Sequence, residues 1–248
     1  VQCHACDAEY TPTLKPFGLK HFICKSCGHR YRTSGAKDAA EYHAVDYTAR
    51  VSADPSEHRV HNDTIKLVKP YLKKCKTFLD IGPGFGLFEQ RAMKYVDIEA
   101  IEINPVFVEK CRELGIVVYN ENVVTWETEN RYDGISIWHV LEHIEDINEI
   151  IEKMKLLSNR FVMFEVPTEL KGNWKARKYY IDRFFKPETK AAANIPFNKR
   201  RVRDGGFRGH FHNFTKQSII ALLEKHNLNP VLIRAGARRD AILVVCEI

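Results

Sequence analysis

The feature that most restricts this chain is a glycine turn set between an apolar strand and a helix, Asp80-Ile81-Gly82-Pro83-Gly84-Phe85-Gly86. Thr77 to Ile81 reads as a buried strand, and the segment after Gly86 reads as a helix to about Tyr95. Glycines at 82, 84 and 86 strip side chains from the backbone where a helix begins, so a ligand can approach main-chain N–H groups. The dinucleotide fingerprint G-x-G-x-x-G fails, because Leu87 stands where its third glycine belongs. What remains is D-x-G-x-G-x-G with Glu102 at the end of the next strand, where a carboxylate can accept both ribose hydroxyls of a nucleoside.

The same rhythm repeats along the chain. Ile98 to Ile103, Ile116 to Tyr119, Gly134 to Val140 and Phe161 to Val166 read as further strands. Between them, Pro105 opens a helix to Leu114, and Asp146 with Glu149 forms an Asp-x-x-Glu capping box for a helix to about Leu157. Such alternation predicts a parallel sheet covered by helices on both faces. Upstream, a helix from Pro55 to about Leu72 takes Asp54 as its N-cap. Downstream, Thr215 caps a helix to about His226, and Asn229 to Ala235 and Ala241 to Ile248 read as two closing strands.

With 248 residues and 44% apolar content, the chain can bury one ordinary domain plus a small appendage. Its 28% charged residues and 11% aromatics exclude disorder, and no apolar run reaches the roughly 18 residues of a membrane span. Val1-Gln2-Cys3-His4 opens without a basic region followed by an apolar stretch, so the expected address is cytoplasmic.

Seven cysteines are too sparse for a disulfide scaffold, but four of them form Cys3-x-x-Cys6 and Cys24-x-x-Cys27, separated by 17 residues. Four thiolates in two such turns suit a structural zinc ion. Between the pairs, Tyr10 to Ile23 reads as short strands broken by Pro12, Pro16 and Gly18, and Gly28 permits a turn that aims N–H groups at the sulfurs. A ribbon this small has little core, so the metal supplies most of its folding free energy. His4, His21 and His29 lie close but are not needed as ligands. Cys75, Cys111 and Cys246 read as small buried hydrophobes.

The net charge of +6 is unevenly spread. Residues 1–37 carry six Lys/Arg against two Asp/Glu, and residues 38–167 carry 15 against 23. Residues 168–213 then carry 12 against four, so an acidic body bears two basic regions that point to local binding surfaces.

Whole motifs also resemble a known family. Phe78-Leu79-Asp80-Ile81-Gly82-Pro83-Gly84-Phe85-Gly86 resembles the first motif of class I S-adenosylmethionine-dependent methyltransferases. Tyr132-Asp133-Gly134 through Trp138-His139-Val140-Leu141-Glu142-His143-Ile144 resembles their fourth-strand motif, in the form ending V-L-E-H-V/I. Phe164-Glu165-Val166-Pro167 resembles the E-x-P of one subgroup, and Gly209-His210-Phe211-His212-Asn213-Phe214-Thr215 is similar to its H-L-H-F-F-S/T. Subgroup members also begin with two Cys-x-x-Cys pairs and a Tyr-rich link, here containing Tyr42 and Tyr47. The resemblance implies an α/β fold with a seven-stranded Rossmann-like sheet at residues 55–248 and an edge hairpin. It implies a zinc ribbon at 1–37, a linker at 38–54 and a substrate lid inserted at 168–213.

In that frame Asp80, Gly82, Gly84 and Gly86 surround the amino-acid part of S-adenosylmethionine and Glu102 takes its ribose. Asn122 and Val123 face the adenine, although many relatives carry Asp where Asn122 stands. Trp138, packed beneath the cofactor or touching it, and His139 lie where the methyl group emerges. His139, His143, His210 and His212 are candidate general bases, each of which also reads as a hydrogen-bonded structural histidine. His139-x-x-Glu142-His143 resembles the E-x-x-E-H of magnesium-dependent O-methyltransferases, but His at its first position weakens a site for a hard cation. The basic, aromatic segment 168–213 suits an anionic acceptor, so the expectation is O- or C-methylation of an anionic small molecule such as a nucleotide-linked sugar or glycan precursor. Alternatives are an RNA or DNA methyltransferase that uses the basic ribbon and lid, and a protein that holds the cofactor without turnover.

Overall fold

The computed structural model describes residues 2–13, 21–32, 55–168, 210–238 and 241–248. Its elements follow the expected rhythm. The ribbon supplies β1 (Tyr10–Thr13), β2 (His21–Cys24) and β3 (Arg30–Arg32). The α/β part runs α1 (Pro55–Leu72), β4 (Thr77–Ile81), α2 (Glu89–Ala92), β5 (Asp97–Ile101), α3 (Pro105–Glu113), β6 (Val117–Tyr119) and β7 (Tyr132–Trp138). A single 3-10 turn (Leu141–His143) leads to α4 (Ile147–Leu157), β8 (Ser158–Pro167), β9 (His212–Asn213), α5 (Lys216–Lys225), β10 (Asn229–Ala235) and β11 (Ala241–Glu247).

Seven strands form one sheet in the order β10-β11-β8-β7-β4-β5-β6. Strands β4 to β8 within it pair in parallel, while β11 runs antiparallel to β8 and to β10 as the edge hairpin. The chain leaves β4 toward β5 and β6, then returns to lay β7 on its other side. That reversal opens a crevice at the carboxyl ends of the strands, where α/β sheets bind ligands. The central strands are buried on both faces, with Phe78, Leu79, Ile135, Ile137, Phe164 and Val166 sealed in and the polar Asp80, Ser136 and Glu165 buried among them.

Several boundaries differ from expectation for physical reasons. The helix after the glycine turn is one turn long, because the chain departs through i→i+3 bonds such as Tyr95 N–H to Ala92 O, 2.8 Å. β5 stops at Ile101, which leaves Glu102 and Ile103 free to bend into the crevice. β7 and β8 begin earlier than hydrophobicity suggests, since polar Ser158 pairs in the ladder with Tyr132. Asp146 caps α4 by accepting the N–H of Asn148 rather than through a box with Glu149. Thr215 does form a capping box, with Ser218.

The ribbon does not hang as an appendage. Its sheet has the order β1-β2-β3-β9, so a strand of the α/β part completes it, with Tyr31 opposite His212. Thr215 Oγ1 donates to Cys27 O at 2.8 Å, and Lys225 Nζ reaches Asp7 Oδ1 at 2.6 Å. Tyr10, Tyr31 and the cysteines join one continuous core with Phe211, Phe214, Ile219 and Leu222. Asp54, the linker with Tyr42 and Tyr47, and most of the expected lid (all but Thr168 and residues 210–213) lie outside the described residues. Among the described residues, no helix is long and apolar enough to cross a membrane.

Candidate active site

A cleft of about 1530 Å³ opens over the carboxyl ends of β4, β5 and β7, large enough for two small reactants side by side. One half is built by the glycine turn. Gly82 and Gly84 lie at φ +74° and +57°, a left-handed region that L side chains resist. A Cβ at Gly84 would meet nothing within 4 Å, so the cradle beside its backbone is open to the cleft. A Cβ at Gly82 would stand 2.7 Å from Val140 Cγ2. Glu102 accepts the N–H of Asn104 at 2.8 Å with one oxygen and that of Gly84 at 3.4 Å with the other. Burial raises its pKa, and those two amides hold the carboxylate in place. Asp80 accepts from Ser136 Oγ and lies near Glu89; burial and the Glu89 charge push its carboxyl well above the usual range. Asn122 and Val123 line the far wall, and Asn122 Oδ1 accepts the Val124 N–H at 3.0 Å. An open backbone cradle, a fixed carboxylate and an asparagine just past β6 make this half of the cleft a fit for a nucleoside-bearing cofactor such as S-adenosylmethionine.

Gly86 has another task. It does not line the cleft; a Cβ there would stand 2.6 Å from Ile116 Cδ1, so its absence lets the turn pack on the α3–β6 connection. Trp138 does line the cleft, with its ring 5.0 Å from that of Phe88.

The other half of the cleft gathers imidazoles and carboxylates. His139 follows β7 directly at φ +55°, a strained conformation for a non-glycine residue. The bend turns its ring between two buried carboxylates: Nε2 lies 2.9 Å from Glu165 Oε1, and Nδ1 lies 3.7 Å from Glu142 Oε1. Burial disfavours the imidazolium, but Glu142 and Glu165 outweigh it and raise the pKa to about 9. At neutral pH the ring therefore presents N–H groups, where a general base needs a lone pair. Glu142, although buried, is held down to about 2 by its histidine neighbours. His143 and His210 meet edge to face, with ring centroids 4.6 Å apart, and both line the cleft. His212 does not reach it. Pairing with Tyr31 carries that residue into the ribbon interface, where its Nε2 faces Glu145 O at 3.0 Å and burial drives its pKa well below the usual value.

Sequence reasoning missed three groups of this wall. Glu165 was legible only as part of a motif, yet the N–H of Ala237 donates to it at 3.2 Å and Gly236 leaves room for it. Arg238 lines the cleft, with Nη2 2.6 Å from Glu57 Oε2 and a buried Nε that has no partner among the described residues. His61, on α1, is held neutral by burial and by Arg91 and Arg238, with a pKa of about 4. Their signal is weak in sequence because α1 and the β10–β11 turn meet the cleft only in three dimensions.

A family model described as "Methyltransferase domain" matches residues 54–233, most of the chain. The chain belongs to that methyltransferase family. A solved N-methyltransferase, NodS from Bradyrhizobium japonicum in complex with S-adenosyl-L-homocysteine, is 15% identical, with a TM-score of 0.57 over 86% of this chain and 97% of that one. The magnesium protoporphyrin IX methyltransferase ChlM of Synechocystis, with bound S-adenosylmethionine, is 11% identical, with a TM-score of 0.60 over 87% and 97%. Both likenesses carry the fold alone. UPF0146 protein MJ0688 of Methanocaldococcus jannaschii is 28% identical, over 47% of this chain and 95% of that protein.

In this methyltransferase the ribbon cysteines fit a metal. The four Sγ atoms lie within 4.8 Å of one another, with Cys3 to Cys27 at 3.6 Å and Cys6 to Cys24 at 3.5 Å. Tetrahedral zinc with Zn–S near 2.3 Å separates sulfurs by about 3.8 Å. The N–H groups of Ala5, Ala8 and His29 point at the sulfurs of Cys3, Cys6 and Cys27, and Gly28 at φ +74° permits the last of these. His29 instead bonds Tyr10 Oη at 2.6 Å through Nδ1. The ribbon also reaches the cleft directly, because His4 and Tyr31 line it and Tyr31 Oη donates to Glu145 at 3.3 Å.

Proposed function

We propose that the protein transfers a methyl group from S-adenosylmethionine to an oxygen or carbon of a small molecule bearing one anionic group. In this reading Gly82 and Gly84 cradle the amino-acid part of the cofactor, Glu102 holds its ribose, and Asn122 with Val123 holds its adenine. When bound, the cofactor supplies a methyl group on a sulfonium, which an acceptor takes by in-line displacement. The chain's own residues align the partners and exclude water, since little covalent work falls to the protein.

The observation that carries the acceptor class is the charge of the wall. Arg238 is the one Lys or Arg among the described lining residues, and its Nε lacks a protein partner there. Glu57 and Glu165 lie beside it, and Glu142, Glu145, Asp146 and Glu149 line the same cleft. With Nη2 paired to Glu57, the guanidinium keeps its Nε edge to bond one carboxylate or phosphate oxygen. A polyanionic nucleic-acid backbone would meet repulsion along the same wall.

Activity is measured with methyl-labelled S-adenosylmethionine against separate pools of nucleic acid and small anionic metabolites, in rising salt. Label in the metabolite pool, with a shallow salt dependence, supports the reading. Label confined to nucleic acid, with affinity falling by a log–log slope of about 0.7 per phosphate contacted on a single strand, overturns it.

A further inference from the structure

The acceptor half of the cleft holds a cluster that methyl transfer from a sulfonium does not by itself require. Glu142, His143 and His210 each present a ligand atom, and these three atoms all lie within 4.8 Å of one another. Glu142 is 1% exposed, and its Oε2 has no hydrogen-bond partner among the described residues. A buried carboxylate oxygen left without a donor is costly, and a cation is one of the few groups that satisfies it.

The backbone fixes the cluster. Glu142 and His143 sit on the 3-10 turn, pinned by the His143 N–H to Val140 O at 2.8 Å. From far along the chain, the N–H of Phe211 donates to Glu142 O at 2.8 Å, which seats His210 beside them. His139 stands on the opposite side, anchored to Glu165 at 2.9 Å, and acts as a positioning residue for Glu142.

We propose that Glu142, His143 and His210 bind one divalent first-row transition ion, with its open coordination positions facing the acceptor. The ligand set selects the ion class. Two imidazoles and one carboxylate suit Zn²⁺, Fe²⁺, Co²⁺ or Mn²⁺ and leave positions open, whereas Mg²⁺ favours oxygen ligands and retained water. Metal–ligand distances near 2.1 Å require the three groups to draw in by about 1 Å, within reach of side-chain rotation. An acceptor oxygen could then occupy an open position, held and made more acidic by the ion. The assignment stands apart from the identity of the acceptor, because the ion binds in the absence of acceptor.

The test is metal content. Wild-type protein, His210→Gln and Glu142→Gln are each saturated with Zn²⁺, freed of excess by gel filtration and measured by elemental analysis, with folding checked by circular dichroism. Both variants are expected to hold one equivalent less zinc than wild type, whatever the cysteine site retains. Wild type and a folded His210→Gln variant with equal zinc content overturn the proposal; should Glu142→Gln not fold, His210→Gln decides. Loss of one equivalent on addition of millimolar Mg²⁺ would likewise overturn the selectivity for transition ions.

Discussion

Gly84 and Gly86 share a motif and a backbone conformation, yet the structure gives them different work, and paired alanine substitutions separate the two. Both lie at positive φ, +57° and +69°, where an alanine costs about 1–2 kcal/mol. At Gly84 the new methyl meets nothing within 4 Å, so strain is the whole cost. For a chain of this size that lowers Tm by roughly 2 to 8 °C. At Gly86 the methyl lands 2.6 Å from Ile116 Cδ1 and 3.1 Å from Leu114 Cδ1. Overpacking adds about 1–3 kcal/mol, for a total near 2–5 kcal/mol and a Tm loss of roughly 4 to 20 °C. Affinity should move the other way. The Gly84→Ala methyl fills the open cradle and weakens S-adenosylhomocysteine by at least about tenfold, or roughly 1.4 kcal/mol. Gly86→Ala, measured well below its Tm, binds within about threefold of wild type. Calorimetric titration and thermal melts of both variants decide the matter. Wild-type affinity in Gly84→Ala, or a Gly86→Ala protein no less stable than Gly84→Ala, would refute the division of labour.

The remaining predictions bear on charge and metal. The unfolded chain protonates His61 near pH 6.5 and the folded chain only near 4, so stability should be lost as pH falls between those values, by about 3 kcal/mol in full. Urea melts from pH 4 to 8 should show that slope flatten in His61→Asn; an unchanged slope rejects the assignment. Arg238→Gln should raise the acceptor KM by roughly 10- to 100-fold, the value of a charged hydrogen bond, with S-adenosylhomocysteine affinity kept, and steady-state kinetics with calorimetry checks both. Chelation of the ribbon metal, or Cys27→Ser, should lower Tm and cut acceptor turnover more than cofactor affinity, since the ribbon walls the acceptor side; equal loss of both would argue against that placement.

Much of the sheet was readable because its strands are buried on both faces, and apolar runs such as Phe161 to Phe164 leave few other assignments. That Gly82, Gly84 and Glu102 line one cleft was readable for a related reason: they lie at the ends of consecutive strands, so chain spacing is also spatial order. Gly86 was not readable in the same way, as its partner Ile116 comes from β6's approach and nothing local announces it. The length of α2 was overestimated because Leu87, Phe88, Ala92 and Val96 are all buried, which mimics a helical face although the chain turns through 3-10-type bonds. Among the histidines, type and motif could nominate His210 and His212 equally. Only pairing of β9 with β3 separates them, one to the cleft and one to the ribbon.

That pairing also changes what the ribbon means. Four cysteines near the start of a chain read as a self-contained knuckle, because zinc can fold a segment too small to have a core. Here the knuckle borrows a core. Cys3, Cys24 and Cys27 pack in one cluster with Phe211, Phe214, Ile219 and Leu222, and its sheet takes its fourth strand from β9. The short segment from His210 to Thr215 thus has three simultaneous duties. His210 enters the cleft, His212 pairs with Tyr31, and Thr215 both caps α5 and donates to Cys27 O. The ribbon and the cleft are joined through that segment, whose Phe211 N–H donates to the main-chain oxygen of Glu142. A zinc held by the four cysteines would therefore be structural in its chemistry, yet joined through this segment to residues that line the cleft.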